Sequence, residues 1–211
     1  MNFLKTPPLF KQLLPGLVWD LGGAQDKNIY LTFDDGPVPE VTPFVLDTLA
    51  AYQARATFFC VGDNVDRHPS IFQQVVQAGH RVGNHTHHHL NGWKTSTATY
   101  LEDVSQCETV LVKQHHDLLP ERLFRPPYGR VSFRQFRKLR QQYRIIMWDI
   151  LSGDFDPNFP AEDCLEKSIR HSTPGTIIIF HDSYKAAANL EYVLPRYLDH
   201  FASSGYKFST I

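Results

Sequence analysis

The chain has 211 residues, enough for one domain with a sizeable core. Its 21 basic and 22 acidic side chains leave a net charge of −1, so no overall basic excess points to nucleic acid or to an anionic membrane surface. Cys60, Cys107 and Cys164 are far apart and odd in number, which fits neither a zinc ribbon nor a disulfide framework and reads as small buried hydrophobes in a reducing compartment. From the N-terminus, residues 1–16 carry three prolines, Pro7, Pro8 and Pro15, and two lysines, Lys5 and Lys11, with no long apolar run. That is a poor signal peptide, and no stretch is long enough to span a bilayer. A cytoplasmic location is the expectation, with export left open.

Short apolar runs then alternate with helix-like segments. Strands are predicted at 28–33, 57–61, 81–83, 123–125, 144–150, 176–180 and 206–209. Helices are predicted at 42–52, opened by Thr42 as N-cap and Pro43 at the first position, and at 69–78, stopped by Gly79. Further helices are predicted at 97–118, 133–142, 161–171 and 190–202. In the last of these, Pro195 is expected to kink the helix or break it in two. Strands alternating with helices imply an α/β fold with a parallel sheet, open or closed into a barrel, whose site lies at the carboxyl ends of the strands.

Four polar clusters fall just after predicted strands. The first, Thr32-Phe33-Asp34-Asp35-Gly36-Pro37, places two adjacent carboxylates on a turn. Their mutual repulsion is relieved when a metal binds one, which leaves the other free to act as a base. A plain Asp-Gly turn is the competing explanation. The second cluster is Gly83-Asn84-His85-Thr86-His87-His88-His89. On one helical turn the four-residue spacing brings His85 and His89 to one face, with His87 and His88 pointing elsewhere. Two histidines and a carboxylate leave open positions on a divalent metal for water and substrate. In the third, Arg125-Pro126-Pro127-Tyr128-Gly129, a stiff turn can aim a backbone N–H at an oxyanion, and an arginine can orient a carboxylate. In the fourth, the apolar run 176–180 ends in His181, which is placed to protonate a leaving amine.

Together these clusters, in this order, resemble the polysaccharide deacetylases, the NodB-type domain of carbohydrate esterase family four. The resemblance covers residues from about 27 to the C-terminus. It implies a NodB-like distorted (β/α) barrel of about seven parallel strands, and a catalytic domain at 25–211 with residues 1–24 as an N-terminal extension packing on it. It also implies a divalent metal, zinc by expectation with cobalt, nickel and iron as alternatives, held by Asp35, His85 and His89. Asp34 is the implied general base and His181 the general acid. Arg125 is implied to hold the catalytic aspartate or line the groove, and the Tyr128 N–H to share the oxyanion with the metal. The implied activity is removal of N-acetyl groups from amino sugars in an oligo- or polysaccharide of chitin-oligomer or peptidoglycan type. Trp93, Pro127, Tyr128 and Phe155 are the candidate sugar contacts, and a monomer is expected.

The sequence departs from the family at one point. The family's D-x-x-D-W stretch reads Leu151-Ser152-Gly153-Asp154-Phe155 here, so the first aspartate, which steadies the acid histidine, is missing while Asp154 is kept. Asp149 shares the parity of Leu151 on a strand through 144–150 and is the expected substitute. Three rival readings remain at this stage: an esterase removing O-acetyl groups from xylan with the same site, a non-catalytic glycan-binding domain on the same scaffold, and an α/β protein whose histidine clusters are adventitious and bind no stoichiometric metal.

Overall fold

The computed structural model describes residues 5–22, 26–115 and 121–211. The chain runs α1 (Pro8–Leu13), β1 (Leu17–Val18), β2 (Asn28–Asp34), α2 (Val41–Ala51), β3 (Ala56–Cys60), α3 (Gly62–Arg67), α4 (Pro69–Gln77) and β4 (Arg81–Asn84). It continues through α5 (Thr97–Gln114), β5 (Leu123–Phe124), a 3₁₀ turn at Pro127–Gly129, α6 (Phe133–Leu139), β6 (Arg144–Ile146) and β7 (Ile150–Leu151). The last elements are α7 (Ala161–His171), β8 (Ile177–His181), α8 (Ala187–Ser203) and β9 (Lys207–Phe208).

The strands lie in the order β1-β6-β5-β4-β3-β2-β8-β7, every neighbouring pair parallel, with β9 added beside β2. This is the expected α/β barrel with two changes. The single strand predicted at 144–150 is two strands: β6 pairs with β5 and β1, whereas β7 pairs with β8 on the far side of the seam. The N-terminal segment does more than pack on the domain. β1 joins the sheet, the Val18 carbonyl accepts the Met147 N–H, and Lys5 bridges to Ile150, so residues 5–18 stitch the seam shut.

Alternation along β2 explains the layering. Ile29, Leu31 and Phe33 are fully buried in the main core beneath α2 and α8, with Phe33 stacked on Phe58. Thr32 and Asp34 point the other way, into the barrel, where Arg125 meets both. Thr42 is not the N-cap of α2; Glu40 holds that position, and the Thr42 hydroxyl instead accepts from Val38 N–H and donates to Asp182. α8 passes through Pro195 without a break. α5 opens on Ser96 as N-cap and ends at Gln114; the remainder of the predicted helix, 116–118, lies outside the described residues.

Candidate active site

At the carboxyl ends of the strands lies a cleft of about 570 Å³. Asp34, Asp35, His85, His89, Tyr128, Phe155 and His181 line it, as do Trp148, Leu151, Ile179, Arg130 and Lys185, which the sequence reading did not select.

The aspartate turn is held from three sides. Asp35 has a φ of 80°, in the left-handed region that costs a non-glycine residue of order 1–2 kcal/mol. Asn64 donates to the Asp35 carbonyl at 2.7 Å, Val61 N–H to the Gly36 carbonyl at 3.0 Å, and Gly36 N–H to the Asp182 carboxylate at 3.0 Å. A Cβ at Gly36 would overlap that carboxylate, so only glycine fits. Burial pushes Asp182 up to about 8, against the hydrogen bond it accepts from Thr42. Neither Asp182 nor Asn64 stood out in the sequence; the only signal for Asp182 was its adjacency to His181.

His85 and His89 converge, but not on a helical turn. Thr86 and His89 both take positive φ, 63° and 54°, and the segment is irregular. Asp103 holds this turn by accepting the N–H groups of His87 and His88, and Asn84 accepts that of Thr86. The imidazoles of His85 and His89 end 5.1 Å apart, and His89 Nε2 lies 3.1 Å from Asp35 Oδ1. One oxygen of Asp35 and one nitrogen from each histidine lie within 4.8 Å of one another. His85 Nδ1 donates to the Arg125 carbonyl at 2.8 Å, which leaves Nε2 unprotonated toward the site. Burial pulls His85 down to about 4 despite the nearby carboxylates, so the ring is neutral. Burial would raise Asp35, yet the hydrogen bond with His89 and the charge of His181 hold it well below the usual carboxylate range. A carboxylate and two imidazoles converging in this way fit a divalent cation of the zinc type.

Arg125 is completely buried. Its guanidinium lies 4.1 Å from the Phe59 ring centre and donates to Asp34 Oδ1 and Thr32 Oγ1, each at 2.7 Å, and to the Met147 carbonyl at 2.8 Å. It fixes one oxygen of Asp34 and does not line the groove; Asp34 Oδ2 faces His85 Nε2 at 3.8 Å. Tyr128 has a φ of 59° and sets its ring 4.6 Å from that of His89.

His181 is held by Asp154, not by Asp149. Asp154 Oδ1 lies 2.8 Å from His181 Nδ1, and its Oδ2 accepts the His181 N–H at 2.7 Å. Burial opposes charge on this imidazole, but Asp154, with Asp35 and Asp34 beyond it, outweighs burial and raises it to about 9. Asp149 instead binds Lys11 at 2.6 Å and Thr176 Oγ1 at 3.2 Å, at the other end of β8. The parity argument failed because residues 147–149 leave the ladder between β6 and β7. Phe155 packs edge-on to His181 with ring centres 5.0 Å apart. Trp93 and Pro127 do not line the cleft: the Trp93 indole donates to the Val131 carbonyl, and Pro127 is buried in its turn.

Fold and site define a hydrolase in which an arginine-paired carboxylate, a carboxylate–imidazole cluster and a carboxylate-paired histidine face one cleft. Residues 22–145 match the polysaccharide deacetylase family, and the chain belongs to it. It is 33% identical over 210 residues to a peptidoglycan-N-acetylglucosamine deacetylase of Bacillus cereus, covering 96% of this chain and 95% of that protein. It is 31% identical over 166 residues to a chitooligosaccharide deacetylase of Rhizobium leguminosarum bv. trifolii, covering 78% of this chain and 75% of that one. Among solved structures, a peptidoglycan N-acetylglucosamine deacetylase in complex with 4-naphthalen-1-yl-N-oxidanyl-benzamide superposes with a TM-score of 0.87 at 27% identity, over 98% of this chain and 95% of the other. These relatives are amide deacetylases, so neither the ester reading nor the binding-module reading is favoured. No helix among the described residues is long and apolar enough to cross a membrane.

Proposed function

We propose that this chain hydrolyses the N-acetyl amide of amino sugars within a glycan chain, releasing acetate and a free sugar amine. The observation that carries the reading is the convergence of Asp34, locked by Arg125, and His181, locked by Asp154, on the cleft that holds the Asp35–His85–His89 donor set. A divalent cation held by Asp35, His85 and His89, zinc by our expectation, would supply Lewis acidity toward the acetamide carbonyl and the attacking water. Asp34 removes the proton from that water, and its Arg125 partner keeps it aimed. The Tyr128 N–H donates to the developing oxyanion. His181, charged because of Asp154, gives its proton to the departing amine. The working form in this reading is a monomer.

Arg130 and Lys185 on the cleft wall favour a glycan that carries carboxylates over a neutral chitin oligomer. An assay of acetate release from both kinds of oligomer, with and without added zinc, tests the function. The expected result is zinc-dependent release from both and a higher kcat/KM on the acidic glycan. Replacing Arg130 and Lys185 by glutamine should narrow that ratio. The Asp34→Asn variant should still bind zinc but lose about 10²–10⁴ in kcat. Wild-type rates by Asp34→Asn would contradict the role of this aspartate.

A further inference from the structure

The overall charge of −1 conceals a strong local asymmetry. Residues 129–144 contain six cations and no acid, and no acid occurs before Asp20. Four of those cations, Arg134, Arg137, Lys138 and Arg140, are exposed on α6 and its C-cap, beside Phe133, which is 73% exposed. The second half of the feature is α1. None of its residues is buried, and Leu9, Phe10, Leu13 and the following Leu14 expose large apolar side chains to solvent. The two elements adjoin: Gly16, just after α1, packs against the Phe136 ring and the Arg140 guanidinium of α6. The polar side of α1 is already spoken for, because Lys11 is tied to Asp149 and Asp20 beneath the barrel.

We propose that this joint α1–α6 face seats the protein on an anionic lipid surface. Four exposed large apolar side chains within six consecutive residues mark an interaction surface. Apolar side chains rimmed by arginine and lysine match the two attractions of a bilayer boundary, burial among acyl chains and charge toward anionic headgroups. A second copy of the chain fits poorly, since a two-fold contact through this face would set the same arginines against each other. The placement is also consistent with work on a glycan. Lys11 reaches Asp149, which contacts Thr176 just before β8, whereas the cleft lies past His181 at the far end of that strand. The length of β8, about 16 Å at roughly 3.3 Å per residue, separates the two. The lipid-facing α1 and the cleft therefore sit at opposite ends of β8.

Co-sedimentation with vesicles tests this. Vesicles of phosphatidylcholine alone are compared with vesicles containing three parts in ten of phosphatidylglycerol. The wild-type chain should partition at least about tenfold better onto the anionic vesicles, with binding falling as salt is raised. Two variants should lose the binding: Leu9→Ser with Leu13→Ser and Leu14→Ser, and Arg134→Gln with Arg137→Gln, Lys138→Gln and Arg140→Gln. Acetate release from a soluble oligosaccharide checks that each variant is folded. The wild-type comparison of the two vesicles stands by itself if a variant fails to fold. Equal partition onto both vesicles, no binding to either, or undiminished binding by a folded variant would overturn the proposal. So would a concentration-dependent dimer abolished by the α1 substitutions, which would assign the face to a second copy.

Discussion

Asp149 and Asp154 stand five residues apart in sequence and at opposite ends of the barrel, each nearly or fully buried beside a cation. At the lower end, Asp149 is clasped by Lys11, with Lys5 at 3.8 Å and Thr176 on its other oxygen, where the N-terminal segment closes the seam. At the upper end, Asp154 grips His181 through both its ring and its backbone N–H, and the other face of that ring looks into the cleft. The same chemistry, a buried carboxylate satisfied by a positive partner, serves a structural end in one place and, in the proposed mechanism, charges a proton donor in the other. What separates them is whether the partner has a free side toward solvent and substrate.

This contrast breaks most visibly at the upper end. Asp154→Asn should lower kcat about 10²-fold, because His181 loses both its orientation and the carboxylate that charges it. In the proposed mechanism the imidazolium is the working form, so activity should persist below the folded-state pKa of His181 and be lost as pH rises through it. Removing Asp154 lowers that pKa, and the alkaline limb of the pH–rate profile should move to lower pH. A profile with an unmoved limb would mean that another group donates the proton. At the lower end, Lys11→Met should cost about 1–3 kcal/mol in denaturant unfolding, leaving Asp149 without its closest charged partner. Its kcat on a soluble oligosaccharide should stay near wild type; a large loss would show that the seam controls the site.

A smaller effect comes from Asp182, which binds the aspartate turn. With a folded-state pKa near 8 against 3.8 unfolded, the native protein holds this proton where the unfolded chain does not. The group's contribution to stability is therefore full below about pH 4 and declines as pH rises toward 8. In metal-free protein, Asp182→Asn should flatten that part of the stability–pH curve while keeping the contact to Gly36 N–H. An unchanged slope would mean that Asp182 is ionised throughout.

Much of this was legible in the sequence because it depends on continuous ladders. β2, β3 and β8 are mostly apolar runs, β2 and β8 ending in Asp34 and His181, and the parallel α/β layout followed from their alternation with helices. The errors cluster where regular structure stops. Parity predicts facing only along one strand, and the break at Met147–Asp149 voided it, so Asp149 was chosen over Asp154. Helical spacing brought His85 and His89 together for the wrong reason: left-handed Thr86 and His89, braced by Asp103 from α5, do what a helical turn was expected to do. The two-residue β1 and the six-residue α1 and α3 are too short to carry a period. Trp93 and Trp148 differ only in where a loop and the seam carry them, which no local pattern records.

The central claim is that one metal-holding site cleaves the amide of an N-acetylated sugar. The most direct test removes bound metal by chelation, restores zinc, and counts acetate and free sugar amine released from an N-acetylated oligosaccharide. The account predicts negligible release without metal, recovery on addition of zinc, and acetate and amine in equal amounts. Acetate release that is indifferent to metal, or that occurs from O-acetylated xylan but not from the N-acetylated glycan, would contradict it.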